Sequence, residues 1–438
     1  MGQRFIVLNS ADAAREIFLK EPNATITAAR PSTFFGTYLQ DNYKDVFFAS
    51  PNPKWTKRRK LVYQLLRTYG EGLVNIEIQI KRNLIGLTKE IRTLNGQCID
   101  PGTTVEEFIL NTIENLVIGK STGRDSDMHR ILKKFDHLSN DLAHVGMDLL
   151  YSSLPFLRFL PFRNSKKIKE WFKSKQQMIE TFERQGQVCK NNFSLENKDF
   201  LSSTRSPHVV RFIFMYCHFN INISQFSKSL QIYFVIAYLT TRGTLLSLIQ
   251  ILAKRPELQK SMQNEIENVI GSIRQPALED KQHCPLVEAV TLEILRYISH
   301  GAISAHCASQ ATEIFGVPVD RNTPILVNFW AMHHSTTAWQ EPFSFRPERF
   351  LDKDGGLLPP TDPVRKRLLV FGIGKRSCVG EIFAKSRIFL FLATVLQNFT
   401  IMEPDDGCLP DLLPREMESS GIILQPKPYK VRFVLREK

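Results

Sequence analysis

The chain has 438 residues, 43% of them hydrophobic, with a formal charge of +13 and an isoelectric point near 9.4. A chain of this length buries roughly three quarters of the surface it exposes when unfolded, so a large core is expected. Its seven cysteines (Cys98, Cys189, Cys217, Cys284, Cys307, Cys378 and Cys408) are odd in number. None falls in CxxC or finger spacing, which excludes a disulfide framework and a zinc site and fits a reduced, cytosol-facing environment.

The opening stretch "MGQRFIVLNSADAAREIF" lacks the apolar core of a signal peptide, and "SADAAREIFLK" reads as a helix capped by Ser10. The basic run "KWTKRRK" (Lys54 to Lys60) follows, then helical periodicity in "IEIQIKRNLIGLTKEIRTL" and "VEEFILNTIENLVIG". A second basic run, "RNSKKIKEWFKSK", covers Arg163 to Lys175. Such runs are either solvated helix faces or docking sites for an acidic partner or an anionic surface. Neither lies in a recognisable nucleic-acid module.

From Ser206 to Leu239 no acidic residue occurs, and Phe, Ile and Tyr dominate. This is either a buried helix pair or a stretch foreign to the rest of the fold. Its most apolar part, Leu230 to Leu239, falls short of the roughly 18 residues a membrane span requires. Helical pattern resumes in "TTRGTLLSLIQILA" and in "PELQKSMQNEIENVIG", which opens on Pro256 and stops at Gly271. Short strands are expected at "TEIFGVPV", "TPILVNFW" and the C-terminal "YKVRFVL". With no linker, repeat or low-complexity tract, one large, mainly α domain with small β-sheets is expected, its helices enclosing something between them.

The stretch "FGIGKRSCVGE" (Phe371 to Glu381) carries the sharpest chemical signal. Gly372 and Gly374 precede Cys378 and Gly380 follows it, allowing positive φ and close approach of backbone to something flat. The helix "EIFAKSRIFLFLATVLQNF" begins just beyond, so its N-terminal partial charge and nearby Arg376 favour a thiolate. On these residues alone Cys378 is a haem or metal ligand, a nucleophile or a structural thiol.

The stretch resembles the haem-binding loop of cytochrome P450, F-G-x-G-x-R-x-C-x-G, matched at every fixed position. Three further motifs follow the family's order. "TLEILRY" supplies E-x-x-R as Glu293 and Arg296, and "FRPERF" supplies Arg349 of a buried Glu-Arg-Arg network. "KWTKRR" supplies W-x-x-x-R as Trp55 and Arg59. The segments "VNFWAMHHSTTAWQEPFSFRPERFL" and "PDDGCLP" are similar to the animal microsomal group that includes steroid 17-hydroxylases and aryl-hydrocarbon hydroxylases.

The resemblance implies a P450 fold with haem b (iron protoporphyrin IX) enclosed between the central long helix and the cysteine-loop helix. Cys378 would be the axial thiolate. Phe371 would pack beside the sulfur and Gly372 would pass near the haem. Arg376, Arg59, Trp55 (through its indole N–H) and His306 would hold the propionates, although His306 also reads as a satisfied core histidine. Glu293, Arg296 and Arg349 would be scaffold. Thr240 would be the catalytic proton-relay threonine of the central helix, and Ile298, Ala302, Ile303 and Ala305 would line the substrate pocket.

Two departures stand out. The family group begins with a membrane anchor and a Pro-rich hinge, whereas this sequence starts where the first β-sheet is expected, so either a truncated chain or a partial gene model is anticipated. The central helix normally carries [A/G]-G-x-[D/E]-T; here the acid is Leu239 and the glycine is Ala237. A leucine cannot relay a proton. The break at Thr240 suggests that residues 204–239 are non-coding sequence translated in a faulty gene model.

The function implied is a monooxygenase that inserts one atom of O₂ into a small hydrophobic substrate, steroid-like or an aromatic xenobiotic. Its partners would be NADPH–cytochrome P450 reductase, cytochrome b5 and a membrane surface, at the cytosolic face of the endoplasmic reticulum, with no nucleic acid. The alternatives are a haem-thiolate isomerase or dehydratase acting on a peroxide without O₂, to which loss of the acid is no handicap, and an inactive haem-binding relative.

Overall fold

The computed structural model describes residues 4–39, 42–43, 45–67, 74–118, 126–142, 150–152, 154–160, 163–195, 223–420 and 423–437. Thirteen principal helices are α1 (Ala11–Leu19), α2 (Asn23–Ile26), α3 (Pro53–Arg67), α4 (Val74–Thr93), α5 (Pro101–Ile118), α6 (Asp127–Leu142) and α7 (Arg163–Leu195), followed by α8 (Ile223–Lys254), α9 (Pro256–Val269), α10 (Pro285–Ile298), α11 (Phe329–His334), α12 (Pro363–Arg367) and α13 (Glu381–Asn398). The strands are β1 (Ile6–Leu8), β2 (Cys98–Ile99), β3 (Ile303–Cys307), β4 (Thr312–Ile314), β5 (Val317–Val319), β6 (Pro324–Asn328), β7 (Phe399–Met402), β8 (Glu418–Ser420), β9 (Ile423–Gln425) and β10 (Val431–Leu435). The mainly α architecture with small sheets is the one expected.

Two compact units are present: Met1–Pro31 with Ile80–Glu106 and Leu239–Lys438, and Ser32–Gln79 with Glu107–Tyr238. In the first, β6 pairs in parallel with β1 and antiparallel with β3. Helix α1 closes one face of this sheet because its apolar residues recur at helical spacing: Ala14, Ile17 and Phe18 are buried with Leu8, Ile325 and Val327. Ser10 caps α1 as expected, its hydroxyl accepting from Ala13 N at 3.2 Å. Ile373, two residues after Phe371, packs against the same cluster, so the cysteine loop rests on this core.

Helix α9 starts on Pro256 and ends before Gly271, whose φ of +80° suits glycine. Its polar Gln259 and Gln263 are buried rather than solvated. Gln259 exchanges two hydrogen bonds with the Ile401 backbone, at 2.9 and 2.7 Å, and Gln263 donates to Phe399 O at 3.1 Å. Helix α13 is apolar nearly all round, from Phe383 through Leu396, and is correspondingly buried. Helix α8 runs unbroken through the Leu239–Thr240 junction. Residues 204–222 of the atypical segment lie outside the described residues. Among the described residues no helix is long and apolar enough to cross a membrane.

In the second unit α6 packs along α7, with the Phe135 and Trp171 rings 5.2 Å apart and both buried. Helix α3 carries the first basic run.

Candidate functional site

The cysteine loop is a folded turn. Gly374–Arg376 forms one 3₁₀ turn, Gly372 N donates to Leu369 O at 2.8 Å, and Cys378 N donates to Phe371 O at 2.7 Å. Gly372 (φ +70°) and Gly374 (φ +67°) occupy the left-handed region. A Cβ on Gly374 would collide with the carbonyl oxygen of Phe18, so that glycine lets the loop seat on the end of α1. These contacts leave Cys378 exposed, three residues ahead of α13. A Cβ on Gly380, the residue before α13, would meet Cys378 Sγ at 3.9 Å, an ordinary van der Waals contact.

The two basic residues of the loop diverge. Lys375 is tied to Glu21 at 2.9 Å and to the Thr25 hydroxyl. Arg376 instead acts electrostatically on His306 and Cys307 of β3. Arg30 acts on the same two residues and donates to Ser304 Oγ at 3.1 Å and to Ala305 O. Sequence reading missed Arg30, because an arginine before a proline carries no signal of its own.

His306 is buried against the Phe18 ring, 4.6 Å away, and its Nδ1 lies 3.1 Å from Thr27 O. A carbonyl only accepts, so the proton of the neutral ring sits on Nδ1. Burial first, then Arg30 and Arg376, hold the imidazole well below its ordinary pKa. His306 is thus both a satisfied core histidine and part of a cationic cluster. It can donate to a carboxylate from Nε2 only after taking up a second proton.

The scaffold network forms as the motifs imply. Glu293 receives Arg296 through two bonds of 2.8 Å, Arg349 Nε at 3.2 Å and the amide of Arg346 at 2.8 Å. Arg296, fully buried, also donates to His333 O and Pro342 O, both at 2.8 Å. The imidazole of His333 bridges Ser299 Oγ at 2.9 Å and the amide of Leu369 at 3.1 Å. Leu369 O in turn accepts from Gly372. An unbroken hydrogen-bonded path therefore leads from the E-x-x-R pair to the loop, through a histidine that no motif singled out.

The central helix meets the cysteine-loop helix through Arg387, which is buried and donates from Nη2 to Thr241 Oγ1 at 2.7 Å. Burial lowers this guanidinium's pKa to about 9. Thr240 is half-buried, and its carbonyl accepts from Thr244 Oγ1 at 2.8 Å. Leu239, where an acid was sought, is buried, and its carbonyl accepts from Gln425 Nε2 at 2.9 Å.

The expected pocket residues divide. Ile298 is fully buried in α10. Ala302 and Ala305 are half-buried, and Ile303 is 57% exposed. Ile303 and Ala305 share one face of β3, opposite the face carrying Ser304 and His306. In the second unit, Arg59 lies 5.6 Å over the Trp55 ring. The Trp55 indole N–H, expected to meet a propionate, donates to Val46 O at 2.9 Å.

The residues fit a haem. A thiol projects from a glycine-lined turn at a helix N-terminus, and two guanidinium groups converge on the strand beside it, the donor set that two propionates require. A model of the family described as "Cytochrome P450" matches residues 1–433, and the chain belongs to that family, whose cofactor is haem bound by a cysteine thiolate. The chain is 29% identical over 446 residues to the steroid 17-alpha-hydroxylase/17,20 lyase of Bison bison, covering 99% of this chain and 83% of that one. It is likewise 29% identical to the enzyme of that name from Gallus gallus (100% and 84% covered) and 28% identical to that of Squalus acanthias (100% and 84%). Family and relatives together support a haem monooxygenase.

Proposed function

We propose that this chain inserts one atom of O₂ into a small hydrophobic substrate of steroid-like shape, converting a C–H bond to C–OH. The second oxygen atom leaves as water, with two electrons from an NADPH-dependent flavoprotein reductase and two protons. The observation that carries the reading is the exposed Cys378 sulfur beside a cationic strand edge, in a chain related along its whole length to steroid hydroxylases. Haem, when bound, supplies the oxygen activation.

The chain's own residues then have defined work. Cys378 holds the metal as thiolate, and the turn closed by its own amide fixes the direction of the sulfur. Arg376 and Arg30 neutralise the propionates, joined by His306 in its protonated form. Arg59 and Trp55 are assigned to the same task by family resemblance; Trp55 would exchange its bond to Val46. Phe371, with the Lys385 ammonium 5.1 Å over its ring, shields the sulfur. Ala302, Ile303 and Ala305 offer apolar surface to the substrate. Thr240 positions a proton donor, working beside Leu239 instead of an acid, so slow and leaky proton delivery is expected.

The basic run Lys54 to Lys60 would steer an acidic reductase or cytochrome b5, and the working site would be the cytosolic face of the endoplasmic reticulum. Residues 204–239 would stand where a different coding segment belongs; an mRNA retaining them would contradict that. The function is tested by titrating the haem-loaded protein with C21 and C19 steroids. A ligand-induced shift of the Soret band, followed by hydroxylated product only when reductase and NADPH are present, is the expected result. Turnover of a fatty-acid hydroperoxide without reductant would overturn it.

A further inference from the structure

The segment "YISHGAIS" places His300 just beyond α10, after Ser299 in the left-handed conformation (φ 42°). No motif claims this histidine, yet it is buried and bonded on every side. Its backbone carbonyl accepts from Leu424 N at 3.1 Å, its Nδ1 lies 2.8 Å from Leu424 O, and its Nε2 lies 2.9 Å from Thr244 Oγ1. Gly243 makes room: a Cβ there would stand 2.5 Å from His300 Cε1 and 3.0 Å from Gln425 Nε2. Beside the ring, Gln425 Nε2 donates to Leu239 O at 2.9 Å and its Oε1 accepts from Arg242 at 3.3 Å.

Hydrogen accounting gives this cluster a direction. Leu424 O only accepts, so His300 Nδ1 carries the proton. Burial holds the ring's pKa down at about 4, so Nε2 is a lone pair at neutral pH. The single hydroxyl hydrogen of Thr244 therefore has two acceptors in reach, His300 Nε2 and Thr240 O. Without His300, that hydrogen goes to the Thr240 carbonyl, and a hydroxyl bonding back to the carbonyl four residues earlier bends a helix.

We propose that His300 is a positioning residue for Thr240: it draws the Thr244 hydroxyl off the Thr240 carbonyl and pins β9 to the central helix. The helix geometry at Thr240 is then set by a histidine clamp, in a chain that has leucine at the preceding position. This rests on the assignment of Thr240 to the haem's distal side.

The test uses the carbon–oxygen stretching frequency of the ferrous CO complex of the full haem-loaded chain, since CO bound to iron reports the polarity and shape of that side. His300→Phe leaves the Thr244 hydroxyl to the Thr240 carbonyl and should shift or broaden the band, whereas Thr244→Val, nearly isosteric and a safeguard against misfolding, removes that hydroxyl and should leave the band near the parent position. The double variant, with no hydroxyl to bend the helix, should return the band toward the parent position, and the Soret position and haem content should stay at the parent values throughout. His300→Gln, which keeps one donor and one acceptor, should restore the parent band. A global loss of stability would move the melting temperature without this pattern. An unshifted band in His300→Phe, or a His300→Phe shift that persists undiminished in the double variant, would overturn the proposal while a shifted Thr240→Ala band leaves the site assignment standing. An unshifted Thr240→Ala band would remove that assignment, and the proposal with it.

Discussion

Arg296 and Leu369 are joined through one residue, His333, whose carbonyl takes the guanidinium at 2.8 Å and whose imidazole takes the Leu369 amide at 3.1 Å. The E-x-x-R pair therefore acts on the cysteine loop through hydrogen bonds it does not itself make. A family motif is scaffold here because both charged groups are fully buried: the guanidinium is satisfied by Glu293 and backbone carbonyls, the carboxylate by Arg296, Arg349 and the Arg346 amide.

Removing one partner should be costly, since it leaves the other charge buried and unmatched, a loss of roughly 3–5 kcal/mol. Glu293→Gln and Arg296→Met are expected to lower the denaturation midpoint strongly and to cut the yield of haem-loaded protein. His333→Phe should act at the loop, destabilising it by about 1–3 kcal/mol through the orphaned Leu369 amide. Urea unfolding monitored at the Soret band and by far-ultraviolet circular dichroism checks both.

The strand-edge cations should set how firmly haem is kept. Each charge-assisted bond contributes about 1.5–3 kcal/mol. Arg376→Ala and Arg30→Ala are each expected to speed haem transfer to apomyoglobin by about ten-fold or more. Equal loss rates in parent and variants would remove Arg30 from the set.

Loop seating predicts an intolerant glycine. Gly374→Ala forces a side chain onto the Phe18 carbonyl at a positive φ, whereas Gly316→Ala on the β4–β5 turn meets nothing within 4 Å although its φ of +77° is equally positive. Both variants carry the backbone strain, but only the first should lose haem. Haem content per protein distinguishes them.

Stability should fall with acid in a definable window. His300 and His333 are held neutral, at about 4 and about 3, by burial first, with His333 lowered further by His334 and Arg296. Between about pH 6.5 and 4 the unfolded chain protonates each ring while the folded chain does not. Each therefore removes roughly 1.4 kcal/mol of stability per pH unit over that range, and their contribution is fully present above pH 6.5. Unfolding free energies from pH 7.5 to 4.5 should show this decline, and His333→Phe should flatten it while lowering the plateau.

Much of this was legible in the residues. The Ser10 cap, the Pro256 start and the strands after Thr312, Pro324 and Val431 follow from local rules that tertiary context did not override. The Glu293–Arg296 contact follows from motif spacing, and that of Arg349 from the family resemblance. Arg30, His333, His300 and the Arg387–Thr241 bond were hidden, because each works with a partner tens to hundreds of residues away and none has a characteristic neighbourhood.

Binding of haem iron by Cys378 as thiolate is read from the CO difference spectrum of the dithionite-reduced, haem-loaded protein. A strongly red-shifted Soret band is expected, one that Cys378→Ser abolishes while circular dichroism stays unchanged. A band at the unshifted position in the parent protein, or a red-shifted band that survives Cys378→Ser, would contradict it.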